Sequence, residues 1–290
     1  MANGSHDLRG LTPEKRAALA ERGPAHELPL WREAFAAYDW VLLRTSTVYF
    51  GFGIPRGDGS AVVTIPGFLG TDTYLVELRG WLRRVGYRPY RSQIGRNADC
   101  PNRIVQRLLA TVERACDDTG HRVHLVGHSL GGVIARSAAA IRPDRIASVV
   151  TLGAPFRGIR SHPIVLHTRD VVRRFIVGHQ SSQYLPAECY TGHCTCEFLD
   201  GLTGFPSGVA ELAVYSRRDG VVDWRMCVTG DPRKDREVLG THVGMAFNPF
   251  VYRQVAEFLA GRARLATPRP ASDRLASAPD QTRAAPSHRD

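Results

Sequence analysis

The sequence predicts an α/β domain, a mostly parallel sheet with helices on both faces, and three observations carry that reading. Short apolar runs alternate with amphipathic segments over most of the chain. The 290 residues, 43% of them hydrophobic, suffice for one substantial core. One junction, "HLVGHSLGGVIARS" at 124–137, sets an apolar strand, a glycine-flanked serine and a helical repeat in immediate succession. Alternation of this kind implies parallel pairing, and such sheets place ligands beyond the C-terminal ends of their strands.

Taken in order, "AVVTIPG" (61–67) is a buried strand closed by a Pro-Gly turn. Thr71–Val85 is an amphipathic helix, and "YRPYRSQ" a short strand. Pro101–Asp117 has Ile104, Leu108, Leu109 and Val112 on one helical face. "HRVHLVG" leads into the serine turn and its helix. "RIASVVTLGAP" (145–155), "ELAVYS" (211–216) and "REVLG" (236–240) are later strands, and Pro249–Ala260 is the closing helix. Residues 1–30 form a loosely ordered leader with one short helix, Pro13–Arg22, capped by Thr12. The domain proper is 31–262. The stretch 263–290 is rich in Pro, Ala, Ser and charge and is expected to be a disordered basic tail.

The net charge of +10 first suggests a nucleic-acid partner. Of the 38 basic residues, however, only Lys15 and Lys234 are lysines, and the arginines are scattered without an aromatic-interleaved basic strand or helix. Solvated surface arginine is the expectation, with no nucleic acid as partner. No apolar run approaches the ~20 residues needed to span a bilayer. The polar N-terminus has no secretory apolar core, so a cytoplasmic location is expected, or a secreted one if the chain lacks its natural start.

Gly127-His128-Ser129-Leu130-Gly131 is a G-x-S-x-G pattern at a strand-to-helix turn. With the alternating elements around it, the chain resembles the α/β-hydrolases of the lipase and esterase kind over residues 40–262. The resemblance implies the α/β-hydrolase fold and a serine nucleophile, Ser129, followed in chain order by an acid and a histidine. A serine hydroxyl needs a base to take its proton and a carboxylate to orient that base. His242, in "VLGTHVGMAFNP", lies in the loop where the family's histidine belongs. His128 sits in the elbow itself, and His162, His167, His179 and His193 fall in an irregular stretch. Asp219, directly after an apolar strand and before Gly220, is favoured over Asp223 as the acid. The developing oxyanion needs fixed N–H donors; the resemblance assigns these to Leu130 and, in the "IPGFLG" loop, to Phe68. Pro66 stands where many lipases carry histidine.

"LGAPFRG" (152–158) resembles the segment that follows the sixth strand in many lipases and acyltransferases. Residues 159–208 after it carry apolar residues such as Ile164, Leu166 and Phe175 without strand alternation, and are expected to form a helical cap inserted after the sixth strand. Of six cysteines, Cys189, Cys194 and Cys196 cluster in "CYTGHCTC". Their spacing is not one of the zinc patterns. A Cys-x-Cys pair bridges itself poorly, so a disulfide would join Cys189 or Cys227 to one of the others; zinc and free thiols are the alternatives. The expected activity is hydrolysis of a small-molecule or lipid-like acyl ester, with no cofactor and no metal. A thioesterase, an acyltransferase or macrocyclase with the same triad, and a non-catalytic basic binding protein stay open.

Overall fold

The computed structural model describes residues 23–24, 28–158, 160–161 and 204–263. Its main sheet contains β1 (Ala61–Ile65), β2 (Arg88–Arg91), β3 (Val123–His128), β4 (Ile146–Leu152), β5 (Ala210–Tyr215) and β6 (Asp235–Glu237). They lie in the order β2-β1-β3-β4-β5-β6, and every neighbouring pair is parallel. The expected strands are all found, with their ends shifted by one to a few residues. Separately, Gly23–Pro24 pairs in parallel with Arg160–Ser161.

Among the described residues, five α-helices flank the sheet: α1 (Ala36–Thr45), α2 (Val76–Arg84), α3 (Pro101–Thr119), α4 (Leu130–Ile141) and α5 (Pro249–Ala263). Successive strand residues face opposite ways. Val63, Ile65, Leu125 and Val149 therefore join α3 and α4 in one core. Val62, Val126, Val150 and Leu212 join α2 and α5 in the other. A parallel sheet covered on both faces needs continuous apolar strands, as β1 shows with five buried residues in five.

The helices follow from local sequence. α3 starts with Pro101, whose missing N–H costs nothing at a helix start. It ends on Gly120 at φ 70°, whose N–H donates to Cys116 O at 2.7 Å. The expected helix at 71–85 divides into a 3-10 turn, Asp72–Leu75, and α2. Trp81 of α2 is buried, donates from Nε1 to Val48 O at 2.8 Å and lies 4.6 Å from the Tyr252 ring.

α1 and the 3-10 turn that leads into it, Leu30–Phe35, are not among the elements expected from the sequence. The turn buries no residue, and α1 buries only Asp39 and Leu43. Trp31, Phe35, Tyr38 and Val41, at helical spacing, are exposed instead. An outward aromatic face with acids turned inward inverts the usual amphipathic pattern.

At the far end of β5, Glu211 and Arg136 of α4 form a buried ion pair, with Lys234 Nζ 3.7 Å from the second carboxylate oxygen. The guanidinium lies over the rings of Phe156 and Phe205 at 3.9 and 4.6 Å, and burial lowers its pKa to about 10.

Other expectations lie outside the described residues: the leader helix Pro13–Arg22, the tail after Ala263, and nearly all of the cap stretch 159–208, which begins beyond β4. Among the described residues, no helix is long and apolar enough to cross a membrane.

The elbow glycine makes a clear test. A Cβ at Gly131 would lie 2.4 Å from Ile65 O and 2.5 Å from Pro66 O, both backbone atoms. Gly131→Ala should therefore destabilise by about 1–3 kcal/mol or more, through overpacking against groups that cannot turn away. Gly80, within α2 and facing open space, provides the opposite case: Gly80→Ala should stabilise by about 0.4–1 kcal/mol. Thermal melts of both variants check the signs.

Candidate active site

Because the strands are parallel, the loops after β1, β3, β4, β5 and β6 open at one edge of the sheet. Ser129 follows β3 directly and precedes α4, with φ 52° and ψ −126°. A non-glycine residue at positive φ costs of order 1–3 kcal/mol and persists only where the surroundings enforce it. Here Ser129 N donates to Leu152 O at 2.8 Å, and Ser129 O accepts from Gly132 N at 2.9 Å. A Cβ on Gly127 would meet Gly131 O at 2.4 Å, so the elbow closes only with glycine at both flanks.

The structure brings together the expected acid and histidine. Asp219 Oδ2 lies 2.6 Å from His242 Nδ1, and both side chains are buried. Asp219 Oδ1 accepts from Val221 N and Val222 N, each at 2.8 Å, which fixes the carboxylate plane. Asp223 is placed elsewhere: it caps the 3-10 helix Trp224–Cys227, accepting from Arg225 N at 3.0 Å. Burial alone would lower the pKa of His242. The charge and hydrogen bond of Asp219, then the charge of Glu33, outweigh it and hold the value above the ordinary one.

His128 supports the histidine loop from the elbow. Its Nε2 lies 2.9 Å from His242 O, and a carbonyl only accepts, so Nε2 carries the proton. Burial, with the nearby His242 ring, lowers the His128 pKa to about 3, so this ring is neutral. Tyr74 donates from its hydroxyl to Val243 O at 2.8 Å.

The loop expected to supply a second N–H donor lies against the serine. A Cβ on Gly67 would be 3.0 Å from Ser129 Cβ. Asn97 pins this loop on both sides of Phe68: its Nδ2 donates to Pro66 O at 2.8 Å and its carbonyl accepts from Leu69 N at 2.9 Å. Leu130 carries the first amide of α4, where backbone donors lack intrahelical partners.

Three contributors were missed from the sequence: Glu33, Asp39 and Asn97. Each acts on backbone or side-chain groups far along the chain, and no local pattern marks such contacts.

Cys227 departs from the expected bridge. It is a fully buried free thiol whose Sγ approaches Asp223 O at 3.8 Å. Burial and the charges of Asp219 and Asp223 push its pKa well up, which keeps it an unreactive thiol. The other cluster members, Cys189, Cys194 and Cys196, lie outside the described residues. Among the described residues, no three His, Cys, Asp or Glu side chains gather as a metal site.

Known proteins share this architecture. The family model for the alpha/beta hydrolase fold matches residues 103–183, a stretch that includes the elbow. A solved structure from work on LipS and LipT, two metagenome-derived lipolytic enzymes, superposes with a TM-score of 0.50 at 16% identity. It covers 72% of this chain and 96% of that one. The chain has the α/β-hydrolase fold. A triacylglycerol lipase of Pseudarthrobacter phenanthrenivorans is 35% identical over 106 residues, 33% of this chain and 33% of that protein. A triacylglycerol lipase of Burkholderia plantarii is 35% identical over 106 residues, 33% of this chain and 30% of that one. The chain spans about a third of the length of the curated relatives it matches.

The Asp219–His242 pair gives a signed pH prediction. The folded pKa of His242 is raised, so its stabilising contribution is full below the unfolded value of about 6.5. It is lost as pH rises through the folded value. An NMR titration of the ring should show protonation above about 6.5, and Asp219→Asn should lower that midpoint.

Proposed function

We propose that this chain hydrolyses carboxylic esters through an acyl-enzyme on Ser129, with His242 as base and Asp219 as the orienting acid. The observation that carries the reading is the buried 2.6 Å contact between Asp219 and His242 at the sheet edge where Ser129 emerges. The similarity to triacylglycerol lipases supports the choice of an ester substrate over a thioester.

In this reading Asp219 holds the proton on His242 Nδ1, which leaves Nε2 as the free base. Nε2 takes the Ser129 hydroxyl proton as Oγ attacks the ester carbonyl carbon. The carbonyl oxygen becomes an oxyanion and accepts from the N–H groups of Leu130 and Phe68. The imidazolium returns its proton to the leaving alkoxide, and the C–O bond breaks. Water then gives a proton to His242, attacks the acyl-enzyme and releases the acid, regenerating the Ser129 hydroxyl. The charge of Asp219 stabilises the imidazolium in both halves of the cycle.

Ser129→Ala and His242→Ala should each lower ester turnover on the order of 10⁴-fold or more. The Ser129→Ala melting temperature should stay close to that of the parent, while His242→Ala, which strips the buried Asp219 of its partner, should melt lower. A chain-length series of p-nitrophenyl esters, run beside acyl-thioesters, reads the substrate class. Ser129→Ala turnover within tenfold of the parent would overturn the mechanism. Preference for thioesters would reassign the leaving group.

The acid has its own test. Asp219→Asn should cost far more activity than Asp223→Asn, since Asp223 is committed to its helix cap. The reverse order of kcat losses would reassign the acid.

A further inference from the structure

The 3-10 turn ahead of α1 carries a carboxylate that the proposed chemistry leaves unused. Glu33 Oε1 accepts from Gly220 N at 2.9 Å and from His242 N at 3.0 Å. Its Oε2 accepts from Val243 N at 2.8 Å. One side chain thus joins the residue after Asp219 to His242 itself. An ionised carboxylate is an acceptor only, and charge-assisted bonds to it are the stronger kind.

The sheet alone does not fix the spacing of these two loops. The β5–β6 ladder has its last pair at Tyr215 and Glu237, before either Asp219 or His242. Beyond that pair, Val238 N donates to Tyr215 O at 2.9 Å and the Ser216 hydroxyl to Gly240 O at 2.7 Å. Past these, the loops are joined by the Asp219–His242 contact itself and through Glu33. The approach is close enough to demand glycine. A Cβ on Gly220 would lie 2.6 Å from Pro29 O and 3.1 Å from Glu33 Oε1.

Asp39, from the same helical run, holds the neighbouring residues. It accepts from Thr241 N at 3.2 Å, Thr241 Oγ1 at 3.0 Å and Asn248 Nδ2 at 2.9 Å. Its bonds stop one residue short of His242, and none reaches the acid loop.

We propose that Glu33 is a positioning residue for catalysis: it sets the separation of the Asp219 and His242 loops and adds a second negative charge beside the imidazole. The proposal rests on the reading of Ser129, His242 and Asp219 as a triad. The groups facing His242 are the Asp219 carboxylate from the loop after β5, Glu33 from the N-terminal turn, and the neutral His128 ring, 4.9 Å away by ring centroids. The Tyr74 hydroxyl, bonded to Val243 O, borders them. Of these, Asp219 and Glu33 bear charge, and each favours the imidazolium over the neutral ring.

Glu33→Gln is nearly isosteric. Its carbonyl oxygen retains the bonds to Gly220 and His242, while its amide meets the Val243 N–H and the charge is gone. The experiment compares the full chain with its Glu33→Gln, Glu33→Ala and Asp39→Asn variants. It measures p-nitrophenyl ester kinetics against pH and the rate of fluorophosphonate labelling at Ser129.

Glu33→Gln should lower kcat about tenfold with KM within about twofold, since positioning errors act on the reacting groups. The acid limb of kcat/KM should move to lower pH by about 0.3–0.5 units, because one favourable charge has left the imidazolium. Glu33→Ala should be slower still. Asp39→Asn should lower the melting temperature and leave the acid limb in place.

A Glu33→Gln variant with the parent's kcat and acid limb would overturn the proposal. So would an acid limb moved equally by Asp39→Asn, since that shift would reflect general loosening. If Glu33→Ala fails to fold, Glu33→Gln decides alone. Labelling of the parent separates the two readings. A parent that labels, with an unchanged Glu33→Gln variant, overturns only the positioning role; a parent that does not label overturns both.

Discussion

Parallel pairing is the constraint on which the rest of this molecule depends. When neighbouring strands run the same way, their C-terminal ends meet at one edge, and residues distant in sequence become neighbours there. Ser129, Asp219 and His242 each follow a different strand, yet the latter two are in contact and His128, next to Ser129, reaches His242 O. The geometry also dictates what the strands are made of. Both faces must be covered by helices, so the central strands β1 and β4 are largely apolar and hold no titratable group. The chemistry is carried by the first turns after each strand. At the elbow this turn is so tight that helix α4 meets the end of β1 backbone to backbone at Gly131.

Outside the ladder, polar side chains take over from strand pairing. Asp219 spends one oxygen on two backbone amides and the other on His242. Asn97 secures the loop after β1, while Glu33 and Asp39 secure the loop after β6. The common logic is satisfaction of backbone groups that no strand partner can reach, since a buried amide left without an acceptor costs about as much as a lost hydrogen bond. At the opposite end of β5, Arg136 and Glu211 use the same economy, each charge neutralising the other within the core.

Much of the fold was legible because its signals are local. The apolar runs of β1, β3 and β4 and the repeat of Ile104, Leu108 and Val112 in α3 need no knowledge of distant residues. The glycines around Ser129 mark a turn by sterics alone, and Asp219 and His242 stood out by their place after predicted strands. The run from Leu30 to Thr45 escaped notice because its aromatic residues face outward and its buried face contains an acid, so hydrophobic periodicity misreports it. Asn97, Glu33 and Asp39 act across 28 to 210 positions of sequence, where no spacing rule applies. Cys227 was read as a bridge candidate from its position after the Asp219 loop, whereas full burial makes it an inert thiol.

The inverted amphipathicity of the N-terminal run has a thermodynamic consequence. Denaturant sensitivity scales with the surface that an opening exposes. Lifting Leu30–Phe35 from the two loops breaks charge-assisted hydrogen bonds yet uncovers little apolar area, because this turn buries no residue. Such an opening has a small m-value and a small heat-capacity change. Urea hardly promotes it, whereas removal of the Glu33 carboxylate does. The amides of Gly220, His242 and Val243 then exchange with solvent through a local event, separate from the unfolding of the sheet beneath them.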